Sequence, residues 1–167
     1  MESEWASVEN KWILPADIRR QMLEHGRDCY PEEGCGLLFG TNADSAVKVI
    51  TSYLPVANTS PAPLHRFELA PAEWVRSCFD PALVGIFHTH PTSKPVPSPE
   101  DLKQLQHFAA QIRLYFIGSP AGDEKPPGKP DGWSLNAYSI VREADGRFAL
   151  QHASVGRQAL ISLNPER

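Results

Sequence analysis

The chain has 167 residues, a net charge of −4, 41% hydrophobic residues and 22% charged ones. This is the composition of an ordinary globular protein with a sizeable core, and it offers no basic surface for nucleic acid. No apolar run approaches the roughly 18 residues of a membrane span.

Met1–Asn10 is polar and acidic. It lacks the basic start and apolar core of a secretory signal, so cytoplasmic residence is the expectation. Cys29, Cys35 and Cys78 are odd in number and lack zinc-ribbon pairing, so they read as small, buried, reduced residues.

Lys11–Leu14 reads as a short strand. Pro15 then opens a helix to about Cys29, with Leu14, Ile18, Met22 and Cys29 near helical spacing. His25 lies near that face and reads as a packed histidine. Gly34–Phe39 is apolar and framed by glycines, as in a buried strand, with Glu33 at its mouth. Ala46–Ala57 is a longer strand, Asn58–Pro63 a turn cluster, and Leu64–Leu69 an alternating strand whose His65 reads as structural. Pro71–Phe79 reads as a helix with Trp74 and Val75 inward.

A strand over Ala82–Phe87 leads into His88 and His90, and a helix runs from Pro99 to about Ala110 with Leu102, Leu105 and Phe108 toward the core. Ile112–Ile117 is a further strand. Ser119–Gly132 holds four prolines and three glycines and reads as a mobile loop. Trp133–Val141 and Arg147–Ala153 form two strands joined by a turn at Ala144-Asp145-Gly146. With no repeat or linker, residues 11–155 are expected to form one domain, with residues 1–10 and 156–167 as loose termini.

The chemistry concentrates between Gly85 and Leu102. Side chains two apart on a strand share a face, so His88 and His90 can reach one metal ion. By itself a His-x-His on a strand is equally well a packed pair. Pro91, Pro95 and Pro97 restrict the loop that follows. Ser98-Pro99-Glu100-Asp101 fits a helix start, with serine at the N-cap, proline at N1 and an acid at N3. That capping reading is compatible with Asp101 as a ligand, because a helix start holds the carboxylate still. Two imidazoles, one carboxylate and an open fourth position are the donor set of a catalytic zinc site, and the nitrogens disfavour magnesium. On residue chemistry alone Glu33 is a loop glutamate, with Glu32 beside it.

Glu33 followed by Gly-Cys-Gly-Leu-Leu-Phe-Gly, and His88-Thr89-His90, seven residues, Ser98, two residues, Asp101, resemble the JAMM (MPN-plus, Mov34) zinc metallopeptidases, in particular the bacterial-type single-domain members. The likeness runs from about Leu14 to about Val141, with every motif position filled. It implies an α+β fold, a mixed curved β-sheet flanked by helices of the JAMM/MPN, cytidine-deaminase-like architecture. It implies one Zn²⁺ per chain held by His88, His90 and Asp101. It selects Glu33 over Glu32 as the general base and gives Ser98 the hydrogen bond to the tetrahedral oxyanion. It further implies cleavage of a peptide or isopeptide bond after the C-terminal glycine of a ubiquitin-like or β-grasp sulfur-carrier protein with a Gly-Gly tail. The alternative within the family is a non-catalytic MPN module that binds such a partner. The Ser119–Gly132 loop stands where eukaryotic relatives carry a ubiquitin-contacting insertion.

Overall fold

The computed structural model describes residues 11–42, 44–120 and 132–157. The elements run β1 (Trp12–Leu14), α1 (Ala16–Cys29), β2 (Cys35–Gly40), β3 (Lys48–Val56), α2 (Pro71–Cys78), β4 (Leu83–Thr89), α3 (Pro99–Phe108), β5 (Leu114–Ser119), β6 (Ser134–Arg142), β7 (Phe148–Ala153) and β8 (Gly156–Arg157). They build one mixed sheet in the order β7-β6-β5-β4-β2-β3-β1-β8. The architecture is α+β, with a curled mixed sheet flanked by helices. The loop expected over Ser119–Gly132 falls mostly on residues 121–131, outside the described residues.

The central strands explain their own sequences. β2, β4 and β5 are nearly continuous apolar runs, and almost every residue in them is buried. A strand covered on both faces has no reason to alternate. On one face Leu38, Phe87 and Phe116 pack with Ile18 and Met22 of α1. On the other, Leu37, Ile86, Tyr115 and Ile117 pack with Phe67, Leu69 and Leu105. β4 and β5 are parallel and are joined through α3, the crossover that a parallel pair requires. β2 runs antiparallel to β4, with Cys35 opposite His88.

The structure corrects several of these expectations. Leu64–Leu69 is not a strand; only an isolated bridge joins Leu69 to Asn58. The Asn58 side chain takes the place of a ladder. Its Oδ1 accepts from the N–H groups of Ser60 and Glu68, and its Nδ2 donates to the carbonyls of Glu33 and Arg66. His65, read as structural, is exposed on this loop. Val75 is 55% exposed and Leu102 39% exposed, although both were expected to face the core. In α3 the buried positions are Asp101 and Leu105, and Ala109 just past its end continues the spacing of four. Turning Asp101 inward rotates Leu102 about 100° away. In α2 Trp74 packs against the core while its neighbour Val75 points outward. Cys35 is buried as expected, but Cys29 and Cys78 are only partly so, and all three are free thiols.

Gly36 is where β2 meets Tyr53, whose ring an added Cβ would strike. The Tyr53 hydroxyl is 2.7 Å from Nδ1 of His25, so the ring cannot shift without giving up that bond. Gly36→Ala should therefore lower stability by about 1–3 kcal/mol, read by chemical denaturation of the metal-free protein. An unchanged midpoint would show that Tyr53 yields freely.

Candidate active site

The site forms where β2 and β4 meet. Continuing the antiparallel register beyond Cys35 and His88 sets Gly34 against Thr89 and Glu33 against His90. The extension is real: Thr89 N–H donates to the Gly34 carbonyl at 3.0 Å, and Gly34 N–H donates to the Thr89 hydroxyl at 2.8 Å. Glu33 is held at both ends of its own peptide unit, its N–H on the Pro63 carbonyl and its carbonyl on Asn58 Nδ2. Its side chain is buried, and Oε2 has no hydrogen-bond partner. Burial pushes the Glu33 carboxyl up to about 7; the nearby His90 opposes that rise and Asp101 adds to it.

His88 is fully buried. Phe67 stacks on its ring with centroids 4.5 Å apart, and Tyr115 meets it edge-on at 5.3 Å. Burial lowers the His88 pKa, and the attraction of Asp101 only partly offsets this. His90 is anchored by its Nδ1 on the Lys94 carbonyl at 2.8 Å. That bond assigns the Nδ1 proton and leaves Nε2 to face Asp101. Burial pulls the His90 pKa down, but the hydrogen bonds to Asp101 and the Lys94 carbonyl win and raise it.

Asp101 lies between the two imidazoles, with Oδ1 3.2 Å from His88 Nε2 and Oδ2 3.0 Å from His90 Nε2. Ser98 and Asp101 also complete a reciprocal capping box: Asp101 N–H donates to Ser98 Oγ at 3.0 Å, and Ser98 N–H donates to Asp101 Oδ2 at 2.9 Å. Burial pushes against ionisation, yet the two histidines and the Ser98 N–H hold Asp101 far below the usual carboxylate range.

The ligand atoms of His88, His90 and Asp101 lie within 4.8 Å of one another, so this buried group could hold a metal ion. The donor set fits zinc. His88 Nδ1 is buried without a partner and Nε2 has only Asp101 Oδ1 beside it at 3.2 Å, short of a well-made hydrogen bond, so ligation of Nε2 would satisfy a nitrogen that the protein leaves poorly paired. The structure thus brings Glu33, His88, His90, Ser98 and Asp101 to one place. Sequence reasoning missed the supports: Asn58, Thr89, Phe67, Tyr115 and the Lys94 carbonyl. Thr89 sits inside the histidine motif and Asn58 in a turn cluster, so each had a local signal. Phe67 and Tyr115 reach the site only through the tertiary fold.

Residues 15–135 match the family model described as prokaryotic homologs of the JAB domain. The chain belongs to that family. Within it, this JAB-domain chain is 37% identical over 125 residues to the desampylase of Haloferax volcanii, a match that covers 69% of this chain and 85% of the relative. It is 26% identical over 102 residues to tail tip assembly protein K of Escherichia phage N15, covering 61% of this chain and 39% of that protein. Among solved structures it resembles a protein of Desulfitobacterium hafniense, with a TM-score of 0.64 at 24% identity, covering 88% of this chain and 92% of the other. A protein of Salinibacter ruber gives a TM-score of 0.57 at 26% identity, with 89% and 93% covered. Among the described residues, no helix of this JAB domain is long and apolar enough to cross a membrane.

The buried glutamate supplies a test by pH. A carboxyl raised from 4.5 to about 7 in the folded chain favours folding below the unfolded value and loses that contribution as pH rises through the folded one. Metal-free Glu33→Gln should therefore gain stability over wild type as pH goes from 4 to 8, by about 3 kcal/mol. Denaturation midpoints with chelator present would measure it. A difference that stays flat with pH would mean Glu33 is not desolvated.

Proposed function

We propose that residues 11–155 form a zinc-dependent peptidase or isopeptidase domain. In this reading it cleaves after the C-terminal glycine of a ubiquitin-like or β-grasp sulfur-carrier protein in the cytoplasm. The observation that carries the reading is the buried convergence of His88, His90 and Asp101 beside a desolvated Glu33. The relation to an enzyme named desampylase supports hydrolysis, and the three free thiols suit a reducing compartment.

His88, His90 and Asp101 would hold one zinc ion per chain. The chemistry a bound zinc ion supplies is Lewis-acid polarisation and acidification of water, from a pKa of about 15.7 toward about 7. Glu33 would do the proton work, taking a proton from water and returning it to the leaving amine. Burial raises the Glu33 carboxyl in the metal-free chain and a bound cation would draw it back down, so the side chain would accept a proton readily there, and such acid–base help is typically worth about 10²–10⁴-fold. Ser98 uses an oxygen lone pair to cap α3, so its hydroxyl proton is free to reach a developing oxyanion. The substrate tail would enter as an extended strand, the mode in which backbone hydrogen bonds supply affinity.

The purified protein with a fusion joined after the Gly-Gly end of a small β-grasp protein tests this. Wild type should bind about one zinc per chain and cleave the fusion while sparing unstructured casein. His88→Ala should lose metal and activity together, and Glu33→Gln should keep metal while turnover falls by about 10² or more. Zinc-loaded wild type that binds the β-grasp partner but never cuts it would favour the non-catalytic module. Indiscriminate cutting of casein would refute recognition of a folded partner.

Ser98 can be tested by magnitude. Loss of the cap alone costs about 1 kcal/mol of stability, whereas loss of an oxyanion donor costs about 10²–10³ in kcat. Ser98→Ala should show both effects with zinc retained. Near-normal kcat in the zinc-loaded variant would leave capping as the whole role of this serine.

A further inference from the structure

The loop between His90 and Ser98 is held by a set of bonds that the cleavage chemistry does not use. Pro91, Pro95 and Pro97 remove backbone donors from it. Its carbonyls are nevertheless bound at three consecutive residues. The Ser119 hydroxyl, at the end of β5, donates to the Ser93 carbonyl. His90 Nδ1 donates to the Lys94 carbonyl at 2.8 Å. Asn136 Nδ2 at 3.0 Å and the Tyr138 hydroxyl at 2.8 Å both donate to the Pro95 carbonyl. Asn136 and Tyr138 are two apart on β6 and so present to one face, and Tyr138 and Ser119 are buried.

The middle carbonyl is the one that matters to the metal site. It takes the Nδ1 proton of His90 and so decides which way Nε2 looks. A peptide carbonyl whose neighbours on both sides are tied to the sheet cannot turn without breaking those ties. We infer that Asn136 and Tyr138 are positioning residues for the metal centre: by fixing the Pro95 carbonyl they orient the Lys94 carbonyl, which sets the tautomer and the plane of the His90 ring. This rests on the zinc reading above. Partners that orient a ligating histidine typically contribute about 10–100-fold in metal affinity, and here that orientation is delivered through one intervening peptide from a strand remote in sequence.

The experiment is zinc affinity by chelator competition, and the absorption spectrum of the cobalt-substituted protein, for wild type, Asn136→Ala, Tyr138→Phe and the double variant. Metal-free thermal midpoints are measured beside them. The double variant should lose about 10–100-fold in zinc affinity and show an altered cobalt spectrum, while each single variant, which leaves one donor on Pro95, falls between. If the pair only braces the loop, midpoints drop while affinity and spectrum stay as in wild type, and the inference is overturned. Should the double variant fail to fold, the singles decide, and affinities within about twofold of wild type for both would overturn it. Wild type that binds no zinc would sink the metal reading and this inference with it; tight wild-type binding preserved in the double variant sinks this inference alone.

Discussion

The antiparallel register of β2 on β4 is the constraint on which the site depends. Cys35 opposite His88 puts Glu33 beside His90, and the Gly34–Thr89 pair of bonds carries the alignment past the last ladder residue. A one-residue slip would send every side chain of one strand to the opposite face. Here a slip would exchange the two packed faces of β2, each fitted to a different layer, and separate the glutamate from the imidazoles at once. Both faces of these strands are packed, Leu38 and Phe87 toward α1 and Leu37 and Ile86 toward the opposite layer. The hydrophobic core thus enforces the alignment that the polar site needs.

The site is electrostatically expensive without a cation. A carboxylate sits between two imidazoles at the floor of the fold, and a second carboxyl, Glu33, is buried without a partner on Oε2. Burial alone would push both acids toward the neutral form. They part company because their neighbours differ. Asp101 has two histidines and the Ser98 N–H and stays ionised, while Glu33 has mainly the cost of desolvation and rises. Two acids in one pocket with pKa values driven apart are suited to different tasks, one to hold charge and one to exchange protons. The helix start binds these tasks together: Ser98 caps α3 with the oxygen that leaves its own proton uncommitted, and the N3 position is itself the carboxylate of the site.

The supports divide between two parts of the chain. Asn58 and the Pro63 carbonyl hold the backbone of Glu33, while β5 and β6 hold the loop behind His90. Glu33 and the loop behind His90 are therefore braced by different parts of the chain.

His88, His90, Ser98 and Asp101 were legible in the amino-acid order because their spacing is a local property, whereas Glu33 stood out from Glu32 only through the family resemblance. A strand places His88 and His90 on one face, a proline-restricted loop limits where Asp101 can go, and a Ser-Pro-x-Asp start announces its own cap. The elements were legible for the same reason, since the buried strands and amphipathic helices are periodic patterns along the chain. What the order of residues could not settle is orientation. Which face of α3 turns inward is decided by the burial of Asp101, which carries Leu102 into solvent. Leu64–Leu69 alternates like a strand, yet Asn58 takes the backbone partners that a ladder would have used. Phe67 against His88, and Asn136 and Tyr138 on the Pro95 carbonyl, join residues far apart in sequence. Such contacts leave no periodic trace, because they exist only once the sheet has brought distant strands together.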